Sequence, residues 1–303
     1  MTDIIKCSIG ILRNNNKILF SQRTKVPYLD MYEFPGGKIN DDESAKDALI
    51  REIKEELSIT VTESTKINKL THKYQDFDVE LHVFNIDNYK GQIEALEKQK
   101  IKFLSLQEVK NKVIESTYRI LKIISLPKYY IITKPVHKKI AHDLSKLSTY
   151  NDYFIRMRFN NKPASYDKML REASKYCKIN NIKLIIDYPY NSNYYHTGIH
   201  YNSIDLHKFC VQKNDLLTRS ASCHTQDDII KANELNLDFI ILSPIIISKS
   251  SSYEAKGWNN FKKLSSIANM PVFALGGIHD NHMDECNFNN GYGLAGISNF
   301  WKT

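Results

Sequence analysis

Apolar residues in this chain change their spacing twice, and each change predicts a different kind of element. Residues 4–12 and 17–21 carry short β-type runs around an Asn14-Asn15-Asn16 turn. From Ser44 to Leu57 no Gly or Pro interrupts, and Leu49, Ile53 and Leu57 recur every four residues. That spacing predicts an amphipathic helix with one buried stripe, and Asp41, Asp42 and Ser44 supply capping oxygens at its start. Strand-like runs follow at 61–70, 79–86 and 101–104, then a closing helix over 116–125 that Pro127 ends. Strands and helices mix here without regular alternation, which predicts an α+β sandwich for residues 1–126.

Beyond Lys128 the pattern becomes alternating. Short apolar runs at 129–133, 153–158, 183–188, 198–201, 216–221, 239–243, 272–275 and 294–297 are separated by helix-like stretches such as 165–180, 225–235 and 258–268. About eight β/α units in series predict a compact (β/α)8 TIM-type barrel over residues 127–303. The chain stops soon after the last run, so a final outer helix is expected to be missing or vestigial.

Composition narrows the class. A chain of 303 residues has material for two cores. Its five cysteines are scattered without paired spacing, which argues against a zinc site or a disulfide framework and fits a reducing, cytoplasmic setting. Lys6 and Arg13 precede any long apolar run, so no signal peptide is expected, and no stretch is long enough to span a membrane. Residues 1–126 carry 20 Lys/Arg against 19 Asp/Glu; residues 127–303 carry 22 against 15. The basic second half lacks a dense Lys/Arg block with interleaved aromatics, so direct nucleic-acid binding is not expected.

The chemistry concentrates on the first helix. Glu52, Glu55 and Glu56 stand at i, i+3 and i+4, opposite the apolar stripe. Such like charges repel by about a few tenths of a kcal/mol per pair, so a cation would neutralise them. Hard oxygen ligands on one face suit Mg²⁺ or Mn²⁺. Gly36 and Gly37 allow a sharp turn that exposes a carbonyl or an amide to the same cation or to phosphate.

The complete spacing is Gly37, five residues, Glu43, seven residues, then Arg51-Glu52-Ile53-Lys54-Glu55-Glu56. It resembles the signature of the Nudix hydrolases, with Ser58 where that family usually has Gly. Within that family, Ile9-Gly10-Ile11-Leu12, Ser21-Gln22-Arg23 and Glu33-Phe34-Pro35-Gly36-Gly37-Lys38-Ile39 resemble the MutT-type 8-oxo-dGTP diphosphatases, which sanitise the nucleotide pool and so serve DNA repair. The resemblance implies Mg²⁺-dependent (or Mn²⁺-dependent) hydrolysis of a nucleoside triphosphate to a monophosphate and pyrophosphate. It puts the Gly36 carbonyl, Glu52, Glu55, Glu56 and Glu97 in the metal sphere, Glu52 or Glu97 as the water-activating base, and Arg51 as their partner. It also puts Arg23 on the nucleotide, with Glu33, Phe34, Pro35, Gly36 and Lys38 lining the base pocket. Thr117 stands where the family has an Asn that reads the base; a hydroxyl lacks the paired donor and acceptor of an amide.

In the second half, Tyr130-Ile131-Ile132-Thr133, Gly198-Ile199-His200, Ser222-Cys223-His224, Leu242-Ser243-Pro244, Gly257-Trp258 and Ala274-Leu275-Gly276-Gly277-Ile278 resemble the thiamine-phosphate synthase/TenI family. Barrel chemistry sits at C-terminal strand ends, where Arg156, Arg158, Asp187, His224, Gly276, Gly277 and Gly296 are expected. The glycines suit a backbone-amide phosphate cradle, and His224 is a candidate acid/base. Against the family pattern, Ile155-Arg156-Met157-Arg158-Phe159-Asn160 keeps an Arg but loses a Lys, and a metal-binding Asn-Asp pair becomes Ile186-Asp187-Tyr188. Asp205 matches a second metal Asp, and residues 248–252 lack a His. A degenerate barrel that binds a phosphorylated ligand or packs structurally is expected. Two other readings stand beside the leading one: a Nudix site acting on a thiamine-pathway diphosphate presented by the barrel, and a non-catalytic ligand sensor.

Overall fold

The computed structural model describes residues 4–74, 76–97, 99–134, 137–159, 163–189, 193–208, 217–246 and 254–301. Asn160, Leu216 and the 248–252 loop, all invoked above, lie outside them. The chain divides into two compact units between residues 125 and 126.

The first unit runs β1 (Ile4–Ile11), β2 (Arg13–Asn14), β3 (Lys17–Gln22), β4 (Tyr32–Glu33), β5 (Gly36–Lys38), α1 (Ala45–Leu57), β6 (Thr60–Lys73), β7 (Asp78–Lys90), β8 (Lys100–Leu104), α2 (Leu106–Val109) and α3 (Glu115–Ile124). One sheet has the order β5-β1-β7-β6, with β1 and β7 parallel and the other pairs antiparallel. The second is built on β3, which pairs with β2, β4 and β8. Leu49, Ile53 and Leu57 are fully buried on one face of α1, each contributing about 1.5–3 kcal/mol. The helix lies close on β1 because Gly10 has no side chain; a Cβ there would stand 2.9 Å from Ile86 and 3.0 Å from Ile53. Ser44 caps α1 by accepting from Asp47 N–H at 3.2 Å. Ser58 ends it in the left-handed region, φ +62°, donating to the Lys54 carbonyl. The family's glycine geometry is therefore kept by a residue that carries a Cβ, at a cost of about 1 kcal/mol.

The second unit is a closed barrel of eight parallel strands: β9 (Tyr129–Ile132), β10 (Tyr153–Met157), β11 (Lys183–Asp187), β12 (Gly198–Tyr201), β13 (Thr218–Cys223), β14 (Phe239–Leu242), β15 (Val272–Leu275) and β16 (Gly293–Gly296). Each pairs with the next, and β16 returns to β9. Between them lie α4 (Ile140–Ser145), α5 (Pro163–Ile179), α6 (Ser203–Lys208), α7 (Gln226–Glu234), α8 (Gly257–Ser265) and α9 (Met283–Phe288). Ile131, Ile155, Met157, Leu184, Ile186, Ile240 and Leu242 face outward into the helix layer's core. The alternate positions Tyr130, Phe154, Phe239 and Phe273 fill the lumen, with ring centroids 5.0–6.0 Å apart. Past β16, Trp301 donates its indole N–H to the Ile132 carbonyl at 2.7 Å.

Candidate active site

The Gly36–Gly37 turn and the polar side of α1 are built against each other. Gly36 has φ +136°, a conformation open to glycine, and donates its N–H to Glu56 Oε2 at 3.1 Å. A Cβ on Gly37 would run into the Glu52 carboxylate. Helix periodicity predicts Glu52, Glu55 and Glu56 together on a solvent face, but the structure splits them. Glu52 and Glu56 are half-buried against the turn, and Glu55 stays outside with its side chain 53% exposed. Arg51 ties the row together. Its guanidinium reaches Glu43 (2.6 and 3.1 Å), Glu52 (2.7 Å), Glu55 (3.2 Å) and the Lys38 carbonyl (2.9 Å). Those partners raise its pKa, led by the Glu43 and Glu52 hydrogen bonds, and the Arg51 hydrogen bond holds the Glu43 carboxyl low.

Glu97 is exposed in the segment between β7 and β8. That segment is docked on the end of α1: Glu94 N–H donates to the Leu57 carbonyl at 3.0 Å and Leu96 N–H to the Glu56 carbonyl at 3.0 Å. Two carbonyls that a helix end would leave open are thereby used.

Beside the turn lies a cavity of about 270 Å³. Phe34, Ile9, Val79 and Leu81 supply apolar wall, Tyr28, Tyr74 and Phe77 an aromatic side, and Thr117 from α3 a buried hydroxyl. Phe34 stacks on Phe20 at 4.9 Å, and Tyr74 stacks on Phe77 at 5.0 Å while bonding Ser116 at 2.8 Å. Arg23 Nη1 donates to Glu33 Oε2 at 2.6 Å and lies 5.7 Å over the Tyr28 ring. Burial raises the Glu33 pKa against the lowering pull of Arg23. Arg23, Glu33, Phe34, Gly36, Lys38 and Thr117 all line this cavity; Pro35 is not among its lining residues, and its carbonyl instead accepts from Gly10 N–H at 2.9 Å.

In the barrel the expected strand-end residues are held differently. Asp187 accepts from Arg156 Nε (2.7 Å) and Nη2 (3.1 Å) and from Phe159 N–H (3.1 Å). Arg158, just past the strand, is exposed; the buried arginine of the pair is Arg156. His224 is half-buried, its Nδ1 3.0 Å from the Ser243 carbonyl oxygen. Gly276 and Gly277 form the turn after β15, with the room a Cβ of Gly277 would need taken by Ile246. The same space at Gly296 is taken by the Phe300 ring. Ile186 faces outward and Asp205 accepts from Asn202 at 2.6 Å. This donor set does not fit a two-carboxylate Mg²⁺–diphosphate site, because its one strand-end acid is engaged by an arginine.

Family comparison separates the two units. The NUDIX domain family matches residues 6–122 and the thiamine monophosphate synthase family residues 130–300. The chain belongs to both families. An 8-oxo-dGTP diphosphatase of Buchnera aphidicola is 32% identical over 140 residues, covering 46% of this chain and 92% of that protein. The CTP pyrophosphohydrolase of Escherichia coli is 30% identical over 106 residues, covering 35% of this chain and 78% of that protein. For the barrel, a thiamine-phosphate synthase of Limosilactobacillus reuteri is 28% identical over 182 residues, covering 55% of this chain and 84% of that protein.

The Nudix unit is a hydrolase domain of the class that acts on phosphoric anhydrides. Its acids fit a hard divalent cation by their chemistry. Burial pushes the Glu56 pKa up to about 8; the Gly36 N–H opposes this, and Glu97, Glu52 and Glu33 add to it. A carboxyl kept neutral by burial and by neighbouring acids is one a cation would return to its charged form. The set is not preformed, however. Among the described residues no three His, Cys, Asp or Glu side chains converge as ready ligands, since Arg51 holds Glu52 and Glu55 while Gly36 holds Glu56.

Several residues of the Nudix unit's site escaped sequence reasoning. Glu43 was visible in the spacing but had no role; it is the bidentate partner of Arg51. Cys7, Tyr28, and the pair Tyr74 and Phe77 line the cavity from three separate segments. The one available signal was the aromatic pair at the tip of the β6–β7 hairpin.

Proposed function

We propose that the Nudix unit hydrolyses a nucleoside triphosphate with Mg²⁺ or Mn²⁺, that its substrate is 8-oxo-dGTP, and that the products are 8-oxo-dGMP and pyrophosphate. The observation that carries this reading is the shared turn: residues 36–38 line the base-sized cavity, and Gly36 also holds Glu56. A bound base and the acids of α1 are thereby held by one short backbone segment. Glu52, Glu55, Glu56 and Glu97, with the Gly36 carbonyl, would hold the metal, which supplies charge to offset the phosphoryl oxygens. Arg51 orients Glu52 and Glu55, and Glu52 or Glu97 accepts the proton of the attacking water. Arg23, Glu33, Phe34, Lys38 and Thr117 surround the base, with Pro35 fixing the turn.

Full-length protein with Mg²⁺ should show its highest kcat/KM on 8-oxo-dGTP in a panel with dGTP, CTP, other nucleoside triphosphates and thiamine-pathway diphosphates. Glu56→Gln should abolish turnover with the fold intact by circular dichroism. Near-normal turnover by that variant defeats the metal assignment, and a preference for CTP or a thiamine-pathway diphosphate defeats the substrate.

For the barrel we infer that it either binds a phosphorylated ligand, with Arg158, Asp187, His224, Gly276, Gly277 and Gly296 as the candidate contacts, or packs structurally, and in neither case synthesises thiamine phosphate. The support is the Asp187 carboxylate, spent on Arg156. Restored thiamine prototrophy in a synthase-deficient host carrying the full chain would overturn it.

A further inference from the structure

A second cavity, of about 740 Å³, lies in the barrel unit, and none of the strand-end residues named above lines it. Its volume is that of a small-molecule site. Tyr130 fills the lumen, so its neighbour Tyr129 faces outward, and Tyr129 stands in the cavity wall. The cavity therefore opens on the outside of β9, bounded by the short 3-10 helix Lys146–Thr149 after α4 and by Asp280 ahead of α9. Among the described residues no helix follows β16 to cover this ground. Tyr150 and Phe300 complete an aromatic wall with Tyr129, the three ring centroids 4.8–6.0 Å apart.

Two exposed lysines, Lys128 and Lys146, belong to this lining, and among the described residues neither forms an ion pair. The two acids of the lining do have partners. Asp280 accepts from the Tyr150 hydroxyl at 2.9 Å, and Asp152 lies near enough to Lys183 to oppose the lowering of its pKa. The unmatched charge is positive, which suits an anion. Lys128 is also held in place. Its Nζ donates to the Tyr292 carbonyl at 2.9 Å and lies 3.6 Å from the centre of the Tyr292 ring. That ring is buried, and its hydroxyl donates to the Leu126 carbonyl at 2.8 Å. The amine is thus packed on a fixed aromatic face with no carboxylate to hold its charge, and burial lowers its pKa to about 8. A desolvated amine is a nucleophile toward carbonyl carbon. We propose that this outer cavity binds an anionic aromatic aldehyde, its ring on the Tyr129–Tyr150–Phe300 wall, its anion at Lys146 and its carbonyl carbon joined to Lys128 as an imine. The Lys128 nitrogen adds to the aldehyde carbon, and the carbinolamine loses its hydroxyl as water with the proton that the nitrogen gives up. One amine and one aldehyde give one imine and one water, with no oxidant or reductant. The site is independent of the Nudix reading and of the strand-end contacts.

Pyridoxal 5′-phosphate serves as the probe, and pyridoxal as its counterpart without the anion. Full-length protein is mixed with either at equimolar concentration, treated with sodium borohydride to fix any imine, and digested, and the labelled lysines are located by mass spectrometry. The yield at Lys128 is read relative to the mean of the other lysines in the same sample. With pyridoxal 5′-phosphate that enrichment should be at least about 10-fold, and with pyridoxal it should be smaller by about 10-fold. Lys146→Ala should bring the phosphate's enrichment down to that of pyridoxal. Labelling at Lys128 should level off above about pH 8, whereas an ordinary lysine keeps gaining label up to about pH 10.4. Label spread evenly over the lysines overturns the proposal. Enrichment at Lys128 that is equal for the two aldehydes, or unmoved by Lys146→Ala, overturns the anion contact and with it the ligand class. A Lys128 yield that rises with pH like that of the other lysines overturns the nucleophile.

Discussion

Each unit has an arginine braced against carboxylates, and the two braces are made differently. In the Nudix unit Arg51 is 29% exposed and spreads its donors over three acids and a carbonyl. No single contact is indispensable, and water reaches the group. In the barrel Arg156 gives two donors to Asp187, with side chains 9% and 12% exposed. Burial decides what each can do. A half-exposed fork can release one acid to a cation and keep the others, whereas a buried pair loses both desolvation costs if it opens. The first is suited to exchange of partners, the second to holding two strands.

The comparison breaks most sharply at Asp187. Asp187→Ala leaves Arg156 charged and buried, and should destabilise the barrel by about 3–5 kcal/mol, read as faster amide exchange throughout β9–β16. The paired Arg156→Met, Asp187→Leu variant should recover most of that loss; a single variant that exchanges like wild type would refute the contrast. Arg51→Ala should leave the first unit folded but lower metal affinity or activity about 10–100-fold, because the carboxylates lose their orienting partner. A metal titration followed by turnover separates the two effects.

A pH series sharpens the same contrast. His200 is fully buried between Tyr130, Ser220 and Ser222, and burial, with Arg156 adding, holds its pKa well below the usual value. The unfolded chain takes up this proton below about pH 6.5 and the fold does not. Barrel stability is therefore full above that pH and should fall by up to about 1.4 kcal/mol per unit as pH drops below it. Comparing wild type with His200→Gln at pH 7 and pH 5.5 isolates the contribution. The smallest effect belongs to Ser58→Gly, which relieves a left-handed Cβ at the end of α1. It should raise the stability of the first unit by about 0.5–1 kcal/mol, seen in a urea titration.

Long periodic elements were legible in the sequence. The helix expected over 44–57 is α1, and the barrel strands fall within a few residues of their apolar runs, since strands buried on both faces leave unbroken apolar stretches. That same continuity hid which face is which. In Ile155-Arg156-Met157-Arg158 the inward position is Arg156, by alternation from Phe154, and Arg158 is already past the strand. β6 and β7 run on to Lys73 and Lys90 through polar residues whose pattern does not signal a ladder. β2, β4 and β5 span two or three residues, and α4, α6 and α9 six each, too few for a period to register. The Ser105–Glu108 capping box starts α2, a helix the apolar pattern does not predict because no apolar stripe follows it. The cavity was the least legible part, because Cys7, Tyr28, Tyr74 and Thr117 meet only through pairing between distant segments.

The strap that carries Glu97 is hooked onto the backbone of Glu56 and Leu57. Fraying the last turn of α1 would thus unseat two of the candidate acids in a single event, one from the helix and one from the strap. Heating or mild denaturant should consequently switch the unit off in one all-or-none step, with no partly competent form in between.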